Sequence, residues 1–74
     1  MNRLKQIKAK ELVGALKRAG FIPESQEGSH LILVDERRNI QTSVPMHAGD
    51  IGRGLLKKIL KQARLTEEEF KKLL

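Results

Sequence analysis

The apolar residues of this 74-residue chain change their period twice, and that switch limits what it can fold into more than any other feature. Ala9, Leu12, Val13 and Leu16 fall at i, i+3, i+4 and i+7, the stripe of an amphipathic helix, with Lys10, Lys17 and Arg18 off the stripe. Gly14 interrupts this helix at about 1 kcal/mol relative to alanine, a cost that close packing would explain. Gly20 suits the left-handed position that ends a helix. From Phe21 the period falls to two. Phe21 to Gln26 reads as a short strand in which Pro23 marks an edge, and Glu27-Gly28 reads as a turn. Ser29 to Val34 is the strongest strand, with His30, Ile32 and Val34 on one face and Leu31 and Leu33 on the other. Asp35 to Asn39 forms a polar hairpin loop, and Ile40 to Val44 returns until Pro45, which cannot donate a ladder hydrogen bond. Met46 to Gly54 is a glycine-rich loop.

Leu56, Ile59, Leu60 and Ala63 then restore the helical period, with Lys57, Lys58, Lys61 and Arg64 on the other faces. Thr66 and Glu69 have the spacing of a capping box, and Leu65 and Phe70 that of its hydrophobic staple, so a short last helix follows. The order α-β-β-β-α, plus a short C-terminal helix, predicts an α+β fold. Its antiparallel three-stranded sheet carries the helices on one face. Residues 1–74 read as a single domain, since a hydrophobic share of 39% suffices for one two-layer core and no linker or repeat divides the chain.

Composition narrows the chemistry. With no cysteine and two histidines at no recognisable metal spacing, neither a thiolate nucleophile nor a transition-metal centre is expected, and no cofactor is implied. No apolar run approaches the roughly 20 residues that span a bilayer, so no membrane role is expected. Met1 to Lys10 is basic without the apolar stretch of a signal peptide, which makes the cytoplasm the default location. The net charge of +6 is uneven: residues 1–20 carry +5, residues 21–50 carry −3, and residues 51–74 carry +4. Basic ends of this kind attract phosphate backbones, although solvation of helix faces accounts for such charges equally well. The two phenylalanines are the only aromatics, so base stacking is a poor route to nucleic-acid binding.

His30 and His47 remain as acid–base candidates. A lone histidine in a strand is more often structural, but His30 follows Gly28-Ser29 at a strand's start, where small residues let a phosphate approach the backbone. His47 lies in a loop, where solvent exposure or capping is the commoner role.

Gly28-Ser29-His30 resembles the G-S-H signature of HicA toxins. Leu16-Lys17-Arg18-Ala19-Gly20-Phe21 resembles the helix end before that family's first strand, and Val44-Pro45-Met46-His47 its V-P-x-H segment. The segment from Gly54 to Ala63 is similar to its G-x-L-x-x-I-L-K-Q-A helix, and Glu69-Phe70 with Leu73-Leu74 to its tail. The resemblance covers roughly residues 10–74. It implies a fold like a double-stranded-RNA-binding domain, ribonuclease activity against messenger RNA, and silencing by a HicB-like antitoxin. The family's catalytic histidine carries over to His30. Combined with the residues themselves, it gives an expectation of metal-independent endoribonucleolytic cleavage. His30 is then the general acid or base, and Gly28, Ser29, His47, Lys57, Lys58 and Lys61 contact RNA. A non-catalytic RNA-binding module of the same fold is the alternative, and an interaction protein that docks an acidic partner is a third reading. Four positions depart from the pattern: Glu27 stands where a base is common, Leu31 where a His or Lys is common, Leu55 in place of a Thr, and Ala9 in place of a frequent N-cap Ser. A carboxylate at Glu27 would weaken phosphate binding or favour the imidazolium form of His30.

Overall fold

The computed structural model describes residues 6–46 and 49–74. A two-residue strand β1 (Ile7–Lys8) leads into helix α1 (Ala9–Arg18), followed by strands β2 (Ile22–Glu27), β3 (His30–Asp35) and β4 (Ile40–Pro45). A second two-residue strand, β5 (Asp50–Ile51), precedes helices α2 (Arg53–Gln62) and α3 (Glu67–Leu73). Strands β2, β3 and β4 form one antiparallel sheet in that spatial order. The expected α+β architecture, with helices against a three-stranded sheet, is therefore what the chain adopts.

The core lies between the helices and one sheet face. Leu12, Leu16, Leu33, Val44, Leu56, Ile59 and Phe70 are among its fully enclosed side chains. On β3, Leu33 is buried and Leu31 packs against the core, so His30, Ile32 and Val34 belong to the opposite, outer face. His30 is exposed there, while Ile32 and Val34 are half-buried.

Both main helices end in the same way. Phe21 N–H reaches the Leu16 carbonyl and Gly20 N–H that of Lys17, with Gly20 at φ 111°. Leu65 N–H reaches Leu60 and Arg64 N–H reaches Lys61, with Arg64 at φ 58° taking the left-handed position that glycine usually fills. The capping box at α3 forms as its spacing predicts: Glu69 N–H donates to Thr66 Oγ1 at 3.0 Å, and Thr66 N–H donates to Glu69 Oε1 at 2.8 Å. The latter bond holds the Glu69 carboxyl below its ordinary pKa. Leu65 is half-buried and Phe70 fully buried, as the staple requires.

Several local expectations need correction. Ala9 is the first residue of α1 and Lys8 is its N-cap, so Ala9 does not occupy the capping position. The segment read as one loop after β4 contains β5, which pairs Ile51 with Ile7 and Asp50 with Lys8. Glu27 belongs to β2 rather than to the turn. Asp35 is the last residue of β3 and is buried, not part of the solvated loop. Its carboxylate accepts Arg37 N–H and Arg38 N–H at Oδ1 and Arg38 Nε at 2.7 Å, and this hydrogen bond to Arg38 holds its pKa below the ordinary value. Gly14 meets no close backbone, since a Cβ there would first touch the Arg18 guanidinium at 3.8 Å. Pro23 does sit on an edge strand, next to a bulge at Glu24 that shifts the β2–β3 register.

Candidate active site

The site begins with a tight turn. Glu27 pairs with His30 across the β2–β3 hairpin, leaving Gly28 and Ser29 as its two central residues. Gly28 has φ 62° and Ser29 does not share that positive φ, the pattern of a turn with glycine at the first central position. A side chain at Gly28 would meet nothing within 4 Å, so this glycine serves the backbone conformation and leaves the turn open to a ligand. The Gly28 carbonyl accepts Gln26 Nε2 at 3.3 Å, and the Ser29 carbonyl accepts Met46 N–H at 2.7 Å. The hairpin is thereby tied to the chain that leaves β4.

His30 is the first residue of β3 and pairs with Pro45 of β4. Its imidazole lines a pocket of about 260 Å³ whose other walls include Ser43, Pro45, Leu55, Lys58 and Gln62. The α2 contribution follows from helical spacing: Leu55, Lys58 and Gln62 stand at i, i+3 and i+7, on the side of α2 that looks onto β4. A histidine, a lysine and a serine hydroxyl thus converge on one open cavity. That set supplies a proton-transfer group and a cation for an anionic substrate.

The expected RNA contacts divide. Gly28 and Ser29 form the turn beside His30, and Lys58 shares its pocket. Lys57 and Lys61 are exposed on α2 but do not line that pocket. His47 lies outside the described residues. Leu55 is 40% exposed and lines the pocket, so the departure at this position changes the wall next to His30. Leu31 points toward the core rather than toward His30, which explains why an apolar residue is suitable there.

One contact at the pocket wall has no signal in the sequence. Thr42 on β4 is buried, and its hydroxyl donates to Gln62 Oε1 at 3.0 Å. The two residues lie 20 positions apart and no local spacing signals the contact.

A family model described as the HicA toxin of bacterial toxin–antitoxin systems matches residues 9–65. The chain belongs to the HicA toxin family. The match runs from the first residue of α1 to the residue after the turn that closes α2, and so includes the entire β2–β3–β4 sheet, His30 and the pocket wall on α2. The chain is thus assigned as the toxin of such a pair. No curated protein matches it. Within this HicA chain, among the described residues, no helix is long and apolar enough to cross a membrane.

Proposed function

We propose that this HicA toxin is an endoribonuclease that cuts messenger RNA, with His30 as the proton-transfer group. The observation that carries the proposal is the placement of His30: exposed, at the mouth of a glycine-serine turn, in one pocket with Lys58 and Ser43. A buried structural histidine would not be held on the outer face of the sheet.

RNA supplies its own nucleophile. The 2′-oxygen bonds to the adjacent phosphorus as the bond to the 5′-oxygen breaks, leaving a cyclic phosphate and a free 5′-hydroxyl. His30 accepts the 2′-hydroxyl proton or delivers one to the departing 5′-oxygen, and a group of this kind contributes about 10²–10⁴-fold. The second proton passes through His47 or water. Lys58 and the backbone amides at Gly28 and Ser29 stabilise the charge that builds on the phosphate oxygens. Lys57 and Lys61 hold the strand from another side of α2 as screened phosphate contacts. This route asks nothing of a metal, because both the nucleophile and the proton carriers are accounted for.

Such a toxin needs a cover in its own cell. The partner is a HicB-like antitoxin that lies over the outer sheet face with an acidic surface near His30 and Lys58. Ile32 and Val34 share that face and supply apolar burial. This matters because exposed ion pairs contribute only about 0–1 kcal/mol each.

Expression of the parent and of His30→Ala in a growing cell tests the reading. The parent arrests growth and the variant does not, while both still bind RNA. Equal arrest by the two removes His30 from the mechanism, and RNA binding without arrest by the parent points to the non-catalytic module.

A further inference from the structure

The pocket at His30 does not end there. A second cavity of about 290 Å³, lined by Ile32, Gln41, Thr42, Ser43 and Gln62, adjoins it and shares Ser43 and Gln62 with it. Together they form a groove between β4 and α2, with His30 at one end and Gln41 at the other.

Gln62 stands where the two halves meet. It is exposed, yet its carboxamide is fixed, because the buried Thr42 hydroxyl donates to Oε1. Thr42 pairs with Leu33 on the core face of the sheet, where its neighbours are Leu31, Val44 and Ile40 and where Asp35, beyond them, has its own partner in Arg38. A valine would fill that place without needing a partner, whereas a buried hydroxyl must have one. The hydroxyl therefore serves to orient Gln62, and with Oε1 engaged the two N–H donors of Nε2 are what the side chain offers the groove.

We infer that this groove is a nucleotide subsite in which Gln62, with Ser43 beside it, reads a base of the RNA strand next to the cut. The inference rests on the reading of His30 as the cleavage site. Phe21 and Phe70 are buried and there is no Trp or Tyr, so neither phenylalanine offers a stacking platform to a base in the groove. Single-stranded RNA is then distinguished by hydrogen bonds to base edges, and fixed amide donors suit that purpose. Lys58 supplies position without sequence, as phosphate contacts do, and Gln62 supplies the discrimination. Gln41, Ser43 and Gln62 supply the groove's polar groups beside Ile32, so a base can be hydrogen-bonded at its edge while its face rests on an apolar wall.

Two variants separate donor loss from other effects. Gln62→Glu keeps an oxygen for Thr42 and removes both donors, and Gln62→Met removes them without adding charge. Cut sites in an RNA pool randomised around the scissile position are sequenced for the parent, both variants and Lys57→Gln. Binding of a fully 2′-O-methylated RNA oligonucleotide, which cannot be cut, is followed by nitrogen-15 NMR. We expect both Gln62 variants to change the base frequencies beside the cut and to weaken oligonucleotide binding about tenfold. Lys57→Gln should lower cutting evenly across sequences. In the parent, the Gln62 side-chain amide and Ser43 resonances shift with the oligonucleotide. Unchanged base frequencies and unchanged binding in both variants overturn the subsite, as do groove resonances that respond to an acidic peptide and not to RNA. If His30→Ala still cuts, the NMR arm decides the subsite independently of the mechanism.

Discussion

Replacing Lys58 by glutamine is expected to do two things that replacing its neighbours does not do together. Lys57, Lys58 and Lys61 are all exposed on α2, but only Lys58 lines the pocket that holds His30. Successive residues on a helix diverge by about 100°, so Lys57 and Lys61 lie near each other on one side while Lys58 turns toward β4. If Lys58 contacts one phosphate, its loss flattens the plot of log K against log salt by about 0.7 for a single strand. Between about 0.05 and 0.2 M salt that amounts to roughly 2.6-fold in affinity. The Lys57→Gln/Lys61→Gln pair flattens the slope by up to about 1.4, twice the single contact. The difference lies in the chemistry: Lys58→Gln also slows cleavage at saturating RNA, because its charge faces the reacting phosphate, whereas the double variant changes binding alone. Salt titrations on an uncuttable RNA and single-turnover cleavage on a cuttable one measure the two effects. A Lys58→Gln protein with parental cleavage at saturation would refute the placement of Lys58 at the reacting phosphate.

Gly14→Ala raises stability by about 0.5–1 kcal/mol, since alanine is the better helix former and the nearest atom to its Cβ is a flexible Arg18 guanidinium at 3.8 Å. Thermal melting checks this, and a lower melting temperature shows the space at Gly14 to be tighter than described. Asp35 has its carboxyl pKa held below the ordinary 3.8 by the Arg38 hydrogen bond, so its contribution is full above that value and lost as pH falls through the folded-state pKa. Asp35→Asn therefore narrows the gap in melting temperature between about pH 5 and pH 2.5, and an unchanged gap removes Asp35 from the acid response. Chelation with EDTA leaves cleavage at the parental rate, and activity lost to EDTA and restored by a divalent ion contradicts the metal-free route.

Much of this architecture was legible because its signals are local. The stripe at Ala9, Leu12, Val13 and Leu16 and that at Leu56, Ile59, Leu60 and Ala63 became the buried faces of α1 and α2. Alternation along β3 separated His30, Ile32 and Val34 from Leu31 and Leu33, but which set faces the core depends on the side the helices cover, and the buried Leu33 decides it. The Thr66–Glu69 box could be read because all of its partners lie within one turn. What escaped is long-range. Strands β1 and β5 are two residues each, too short to show a period, and exist because Ile7 and Ile51 meet across more than 40 residues. The burial of Asp35 depends on Arg38 folding back over Phe21, its guanidinium carbon 5.9 Å from the ring centre. At the candidate site, the sequence indicated a turn at Glu27-Gly28 and a histidine at the strand's start, whereas the turn lies one residue on, at Gly28-Ser29, and the exposure of His30 depends on which sheet face the helices cover. The distinction between Lys58 and its two neighbours needed the angle at which α2 lies along β4, as did the pairing of Thr42 with Gln62.

The most direct test of the central claim compares purified parent and His30→Ala in one assay, with circular dichroism and RNA cleavage measured on the same preparations. His30 is exposed and packs no core, so the two spectra and melting curves should coincide. Cleavage should fall by about 10²–10⁴-fold, roughly 3–5 kcal/mol in barrier, and the parent's products should end in a cyclic phosphate. A folded His30→Ala protein that cuts at the parental rate would contradict the account.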